Sequence, residues 1–225
     1  MTVPTTLVPL AITLDTEGGA CVAGVTAAGR WLRPEPVTAA DVTGAVPRYR
    51  FFQPVTVTLA ASAEPGARPE DRAIAGPVTD AGPALDTAER AGLLDRIADD
   101  SVERAFAGER SAGLVRARVR GFERRRSTGG RSFVRVAFTD PAGADHDWIV
   151  RDVRVLRAFG ETGDLTGAQT VLAAAPVFLS IGLTKPNGRF PGRFRGCHPL
   201  VVGVLTADAD LPAWQKGVMD APGVA

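Results

Sequence analysis

The chain has 225 residues, of which 45% are hydrophobic, and its formal net charge is +1. This apolar content is sufficient for a real core and excludes a chain that is disordered throughout. The near-neutral charge excludes bulk attraction to polyanions, so any contact with nucleic acid must come from local clusters of cations.

The two cysteines, Cys21 and Cys197, lie far apart in the sequence. This usage is typical of free thiols in a reducing compartment, so we expect a cytoplasmic protein. The amino-terminal segment lacks a basic region, and no apolar run approaches the roughly 20 residues of a membrane helix. We therefore expect neither secretion nor a membrane partner.

The amino-terminal part of the chain predicts strands. Apolar runs at residues 7–14 and 20–26 are separated by turn residues, which predicts a hairpin. Residues 30–33 and 50–60 predict further strands. Residues 62–83 are rich in proline, glycine, alanine and acids without periodicity, which predicts a long surface loop or a loosely packed connection.

One helix is predicted near the middle of the chain. Thr87 is suited to cap it, the apolar residues from Leu93 to Phe106 fall at helical spacing, and Gly108 provides a stop. The helix is a natural boundary between two modules, at residues 1–110 and 111–206.

The second module begins with strict alternation in residues 114–122, LVRARVRGF, which predicts a strand with one apolar and one basic face. A basic turn follows, and residues 131–140 predict the returning strand. Residues 148–159 predict a third strand and residues 165–175 a short helix. Residues 177–205 predict two apolar strands around a glycine-rich loop, and residues 207–225 a weakly structured tail.

Many short strands, one helix and frequent glycine or proline turns favour a mainly β protein built from small barrels or sandwiches.

Several phrases, in order along the chain, resemble the bacterial dual OB-containing domain family: CVAGVTAAGRWLRP, VRARVRGF with FVRVAFTDP, and LSIGLTKP with CHPLVVGV. The resemblance implies two tandem OB-like β-barrels. It also implies a nucleic-acid-binding or ligand-binding component, often associated with bacterial defence loci. The chain departs from the family pattern in two places: Arg68-Pro69-Glu70-Asp71 is only a faint echo of a proline and acid motif, and Cys197-His198-Pro199 stands where the family has an aromatic residue and a lysine.

Arginines dominate the predicted hairpin of the second module, where Glu123 is the acid that offsets them. They are Arg116, Arg118, Arg120, Arg124, Arg125, Arg126, Arg131 and Arg135. Arginines along one strand face can follow a phosphate backbone. The alternative is the solvated face of an amphipathic hairpin, or pairing with the acidic helix.

The late loop combines cations, aromatic residues and glycines without an acid. Its candidate binding residues are Lys185, Arg189, Phe190, Arg193, Phe194 and Arg195. Phenylalanine can stack on bases while arginine contacts phosphate, and glycine lets the backbone approach a ligand. The alternative is a structural loop whose phenylalanines fold into the core.

Trp31 with Arg33 could offer a further stacking surface, although a tryptophan on such an apolar strand is more often core.

No catalytic motif is present in the sequence. Cys197 and His198 are adjacent on a predicted strand and point to opposite faces, and two histidines in the whole chain make a tetrahedral metal site hard to assemble. We therefore predict a non-enzymatic binding module without cofactor or metal, whose partner is single-stranded RNA or DNA. The alternative is a small-molecule sensor, or a subunit that uses the same loop to dock on a protein partner.

Overall fold

The computed structural model describes residues 2–15, 18–61, 68–162, 176–186, 188–189 and 191–208. Its elements, in chain order, are β1 (Thr2–Leu14), β2 (Gly19–Val25), β3 (Trp31–Glu35), β4 (Val37–Thr38), α1 (Ala39–Thr43), β5 (Val55–Ala60), β6 (Asp71–Asp80), α2 (Thr87–Ile97), α3 (Val102–Ala105), β7 (Ala112–Arg126), β8 (Ser132–Thr139), β9 (Asp145–Val150), α4 (Val153–Thr162), β10 (Val177–Leu183) and β11 (Pro199–Leu205). Among these residues, no helix is long and apolar enough to cross a membrane.

The strands close into two barrels of five strands each. In the first barrel, β1 pairs with β2 and β5, β6 joins β5 to β3, and β3 returns to β2. The second barrel repeats this order with β7 to β11, and in both the third and fifth strands are the parallel pair. The protein is therefore mainly β with two tandem OB-like barrels, as the sequence predicted.

A long, bulged first strand closes each barrel. β1 pairs with β5 through its first half and with β2 through its second half, with an irregularity between Pro9 and Ala11. β7 pairs with β10 and then with β8, with an irregularity between Val119 and Gly121. A bulge bends the strand and increases its twist, which lets one strand serve both sides of a closed barrel.

The barrels pack against each other through an apolar core that they share with α2. Its largest members are Leu10, Trp31, Phe52, Leu93, Leu94, Leu114, Phe178 and Leu205. Ser180 Oγ donates a hydrogen bond to the Leu10 carbonyl oxygen at 2.8 Å. A Cβ atom on Gly203 would lie 2.3 Å from the same oxygen, so only glycine permits this close approach.

The predicted central helix is divided in two. Asp86, rather than Thr87, caps α2 by accepting a hydrogen bond from the Glu89 backbone, and α3 starts separately after Ser101. Between them, the Asp99 backbone nitrogen donates to the Leu114 carbonyl at 2.7 Å. This contact with the second barrel interrupts the helix between α2 and α3. The spacing of apolar residues could not reveal the interruption, because it depends on a residue outside the helical segment.

Two further predictions were wrong. The loop predicted at residues 62–83 contains β6, which is half-exposed and weakly alternating, so its strand character depends on pairing with β5 and β3. The strand predicted at residues 148–159 ends at Val150 and is followed by α4. There the Asp152 carboxylate accepts a hydrogen bond from the backbone of Arg154, as helix-capping side chains do. The helix predicted at residues 165–175 lies outside the described residues.

We expect Gly203→Ala to lower the free energy of unfolding by about 1–3 kcal/mol, because the added methyl group must push the two barrels apart. Gly92→Ala is the matched control. Gly92 lies within α2 with open space around its Cβ position, so alanine should stabilise the helix by about 0.5–1 kcal/mol. Urea unfolding measures both changes, and equal stability of Gly203→Ala and the wild type would contradict the close packing of the barrels.

Candidate nucleic-acid interface

The arginines of the β7–β8 hairpin divide between two faces. Cross-strand partners point to the same side of a sheet. Arg118 lies opposite Thr139 and Arg125 opposite Phe133, whereas Arg124 lies opposite Val134, which points into the core. The bulge at residues 119–121 therefore separates Arg124 and Arg126 from the outward stripe that Arg116, Arg118 and Arg120 begin.

Acids of β9 offset much of the outward stripe. Arg120 pairs with Asp145 at 2.8 Å, and Arg135 pairs with Asp147 at 2.9 Å. Arg125 contacts Glu123 at 2.8 Å and Asp147 at 3.4 Å. The sequence pointed to Glu123 and to the acidic helix as the sources of negative charge; Glu123 does pair with Arg125, and β9 rather than the helix supplies the other acids here. The outward face is therefore a mixed network of ion pairs.

These pairs shift the pKa values of the exposed acids. The hydrogen bond from Arg125 is the main cause of the lowered pKa of Glu123, and it also raises the pKa of Arg125. The hydrogen bond from Thr139 lowers the pKa of Asp145, and the charges of Arg120 and Arg118 act in the same direction. Both carboxylates are therefore ionised at neutral pH and compete with any bound phosphate.

Cations near the hairpin turn are less neutralised. Arg124 lies over the Phe159 ring of α4 at 5.4 Å and donates to Ser132. Arg126 and Arg131 are exposed, and neither has an ion-pair partner in the part of the chain that the structure describes. A hydrogen-bonded turn from Ser127 to Arg131, with Gly130 at φ +79°, joins the strands. The turn thus presents arginine charge to solvent.

In the late loop, residues 184–198, three of the predicted binding residues have structural contacts. Arg193 forms an ion pair with Glu103 at 2.5 Å. Arg195 donates to the carbonyl oxygens of residues 106, 108, 109 and 110, at distances from 2.6 to 3.3 Å. Phe194 packs edge-on against Phe106, with ring centroids 4.9 Å apart. The contacts of Phe194 and Arg195 therefore fit a structural loop better than they fit base stacking or phosphate contact.

Two further candidate residues of the late loop lie at the surface. Lys185 is exposed and has no ion pair among the described residues, and Arg189 is exposed as well. Phe190 lies outside the described residues. The loop thus retains Lys185 and Arg189 as candidate contacts, while its middle part anchors the segment after α3.

The fold relates the hairpin turn to the late loop. The turn at residues 127–131 connects the first and second strands of the second barrel, and residues 184–198 connect its fourth and fifth strands. In OB barrels these two connections are the ones that bind oligonucleotides, together with the face of the second and third strands. Two basic segments that are remote in sequence therefore occupy the two loop positions used for binding in this architecture.

Trp31 and Arg33 are buried, with 6% and 3% of their surfaces exposed. The Arg33 guanidinium pairs with Asp71 at 2.5 Å, and Arg68 pairs with both Asp71 and Glu35. Arg33 is therefore a structural residue rather than a stacking surface. The sequence signal for this network was the Arg68-Pro69-Glu70-Asp71 phrase.

The residues considered for chemistry also have structural surroundings. His146 is buried beside Asp140, 3.3 Å from its carboxylate, and packs against Phe138 and Trp148. Cys197 is buried in the core of the second barrel, and neither cysteine forms a disulfide. Among the described residues, no group of three potential metal ligands comes together.

Neither a protein-family model nor a curated protein matches this sequence. The OB-like class therefore rests on strand order and pairing alone. The resemblance to the dual OB-containing domain family stays a prediction from short sequence phrases.

We expect Arg195→Lys to lower the free energy of unfolding by about 1 kcal/mol or more, because an ammonium group cannot reach all four carbonyl oxygens. Arg126→Lys is the matched control, and it should change stability by less than about 0.5 kcal/mol since Arg126 is exposed. Urea unfolding of both variants gives the comparison. Equal stability of the two would show that Arg195 does not anchor the segment after α3.

Proposed function

We propose that the protein is a non-enzymatic binding module for single-stranded nucleic acid, and that the second barrel carries the interface. The observation that supports this most is the position of two basic segments in the two binding connections of one OB-like barrel. The proposal includes membership of the dual OB-containing domain family and a cytoplasmic location.

The contacts that the proposal assigns to nucleic acid are fewer than the sequence predicted. Arg124, Arg126 and Arg131 at the hairpin turn and Lys185 and Arg189 in the late loop are exposed cations. Four of these cations have no carboxylate within ion-pair distance in the part of the chain that the structure describes: Arg124, Arg126, Arg131 and Lys185. Phosphate contacts from such residues need no existing ion pair to break, so they favour binding at low cost.

The outward stripe contributes less to this interface. Arg120, Arg125 and Arg135 are already paired with acids, and a phosphate would have to compete with those carboxylates. Arg116 lies over the Phe178 ring at 5.9 Å, at the edge of the core between the barrels. Arg118, like Arg116, is exposed and has no ion pair in the described part of the chain. We therefore assign recognition to the loop end of the barrel and not to its strand face.

Phe194 packs against Phe106, and the contacts assigned here from the described residues of the two loops are all cations, so phosphate contact dominates over base stacking in this proposal. Binding should then depend weakly on sequence and strongly on salt. Single strands of different sequence should therefore bind with similar affinities. This predicts a general single-strand binder rather than a reader of a defined motif.

The test uses a fluorescent single strand of about 20 nucleotides, longer than the roughly 4–16 nucleotides that one OB barrel covers. We expect the wild-type log affinity to fall linearly with log salt from about 50 to 200 mM. Neutralising Arg126 and Arg131 together, as Arg126→Gln and Arg131→Gln, should make this slope shallower by about 0.7 for each lost phosphate contact. Fluorescence anisotropy with DNA and with RNA measures the affinities.

Arg48→Gln and Arg50→Gln, made together, form the matched control, because both arginines are exposed on the first barrel. Their removal changes the net charge equally and should leave the slope unchanged. The proposal fails if the wild type binds neither DNA nor RNA at low salt. It also fails if the control pair weakens binding as much as the hairpin pair does.

A further inference from the structure

A second candidate site lies away from the hairpin, in a cleft of about 600 Å³. Four segments form it: the turn between β2 and β3, the start of β6, the end of α2, and the chain that leads into β7. Ligand pockets commonly have volumes of about 300–1,000 Å³, so the cleft has room for a small molecule. Nothing in the sequence pattern indicated it, since its lining residues come from distant parts of the chain.

The cleft is lined by four arginines: Arg30, Arg72, Arg96 and Arg110. It also contains two carboxylates, Glu70 and Asp99, but both are engaged. Asp99 accepts two parallel hydrogen bonds from Arg110, each of 2.9 Å. Glu70 is buried and accepts from the backbone nitrogen and the hydroxyl of Ser111, at 2.8 and 2.5 Å.

The other three arginines have no carboxylate partner in the part of the chain that the structure describes. Arg72 donates to the carbonyl oxygens of Pro69 and Asp71, and Arg96 donates to the carbonyl oxygen of Ala27 at 3.0 Å. Carbonyl partners orient a guanidinium group but leave its positive charge uncompensated. Arg30 is exposed at the rim.

The cleft therefore combines fixed positive charge with an apolar wall from Trp31, Ile97 and Ala98. The planar fork of arginine matches phosphate oxygens in two-point contacts, which makes arginine clusters suited to phosphate groups. We propose that the cleft binds a small phosphorylated molecule through its phosphate groups. The arginines of this site lie on the first barrel, on α2 and on the connection between the barrels, so none of them belongs to the proposed nucleic-acid interface. The late loop meets the site at Arg110, whose carbonyl oxygen accepts a hydrogen bond from Arg195.

The test is calorimetric titration of the full-length protein with inorganic pyrophosphate, beside titration with sulfate at the same ionic strength. We expect pyrophosphate to bind at least about tenfold more tightly than sulfate, since its two phosphate groups can contact several arginines. Arg72→Gln and Arg96→Gln should each weaken pyrophosphate binding by about tenfold, the loss typical of a charged hydrogen bond. Arg48 is an exposed arginine of the same barrel that does not line the cleft, so Arg48→Gln should leave the affinity unchanged.

Arg30→Gln keeps the test decisive if Arg72→Gln affects folding, because the Arg30 side chain is exposed and anchors no described segment. It should weaken binding without changing urea unfolding. The proposal is overturned if pyrophosphate does not bind, if sulfate binds as tightly, or if Arg48→Gln weakens binding as much as the cleft variants do.

A third arm separates the two phosphate sources. Pyrophosphate titration is repeated with the protein saturated by a single-stranded oligonucleotide. Undiminished affinity supports a separate small-molecule site. Complete loss of pyrophosphate binding would overturn the proposal by making the cleft part of a nucleic-acid surface. A wild type that binds pyrophosphate but no oligonucleotide would remove the proposed function and leave the cleft site intact.

Discussion

The arrangement of the two barrels depends on a buried polar network at the point where the second barrel begins. Ser111 directly precedes β7, is fully buried, and gives both its backbone nitrogen and its hydroxyl to the Glu70 carboxylate of the first barrel. Arg33 lies within hydrogen-bond distance of the same hydroxyl and pairs with Asp71. Charges removed from water are tolerated only when each finds a partner, so this network fixes where β7 starts relative to the first barrel. The positions of the hairpin and of the arginine cleft both depend on this polar network.

Arginine has several physical roles in this protein, and the contacts of each side chain decide which one applies. Arg33 and Arg154 are buried with carboxylate partners, and Arg154 also lies 3.5 Å from the centre of the Phe51 ring. Arg195 holds backbone carbonyls and stabilises a loop. Others, such as Arg126, face solvent without an acid in the described structure. A count of arginines in a segment therefore overstates the charge that a ligand would meet.

The two candidate sites differ in how they present charge. The hairpin turn and late loop offer exposed cations on connections, which suits an extended, flexible polyanion and a salt-dependent affinity. The cleft orients Arg72 and Arg96 through carbonyl contacts around a volume of about 600 Å³, which suits a small ligand.

Local patterns determined the parts of the structure that depend on neighbours in sequence. Alternation predicted the hairpin of β7 and β8, apolar runs predicted β1, β2, β10 and β11, and the basic segments were visible as composition. The tertiary structure alone decided the rest. β6 forms a strand because it pairs with partners that are distant in sequence, and the bulge in β7 divides the arginines between two faces. The structural role of Arg195 depends on carbonyl oxygens almost ninety positions away. Sequence by itself determined periodicity and charge, whereas the closing of each barrel determined which charges are neutralised, because only closure brings remote acids, carbonyls and arginines within hydrogen-bond distance.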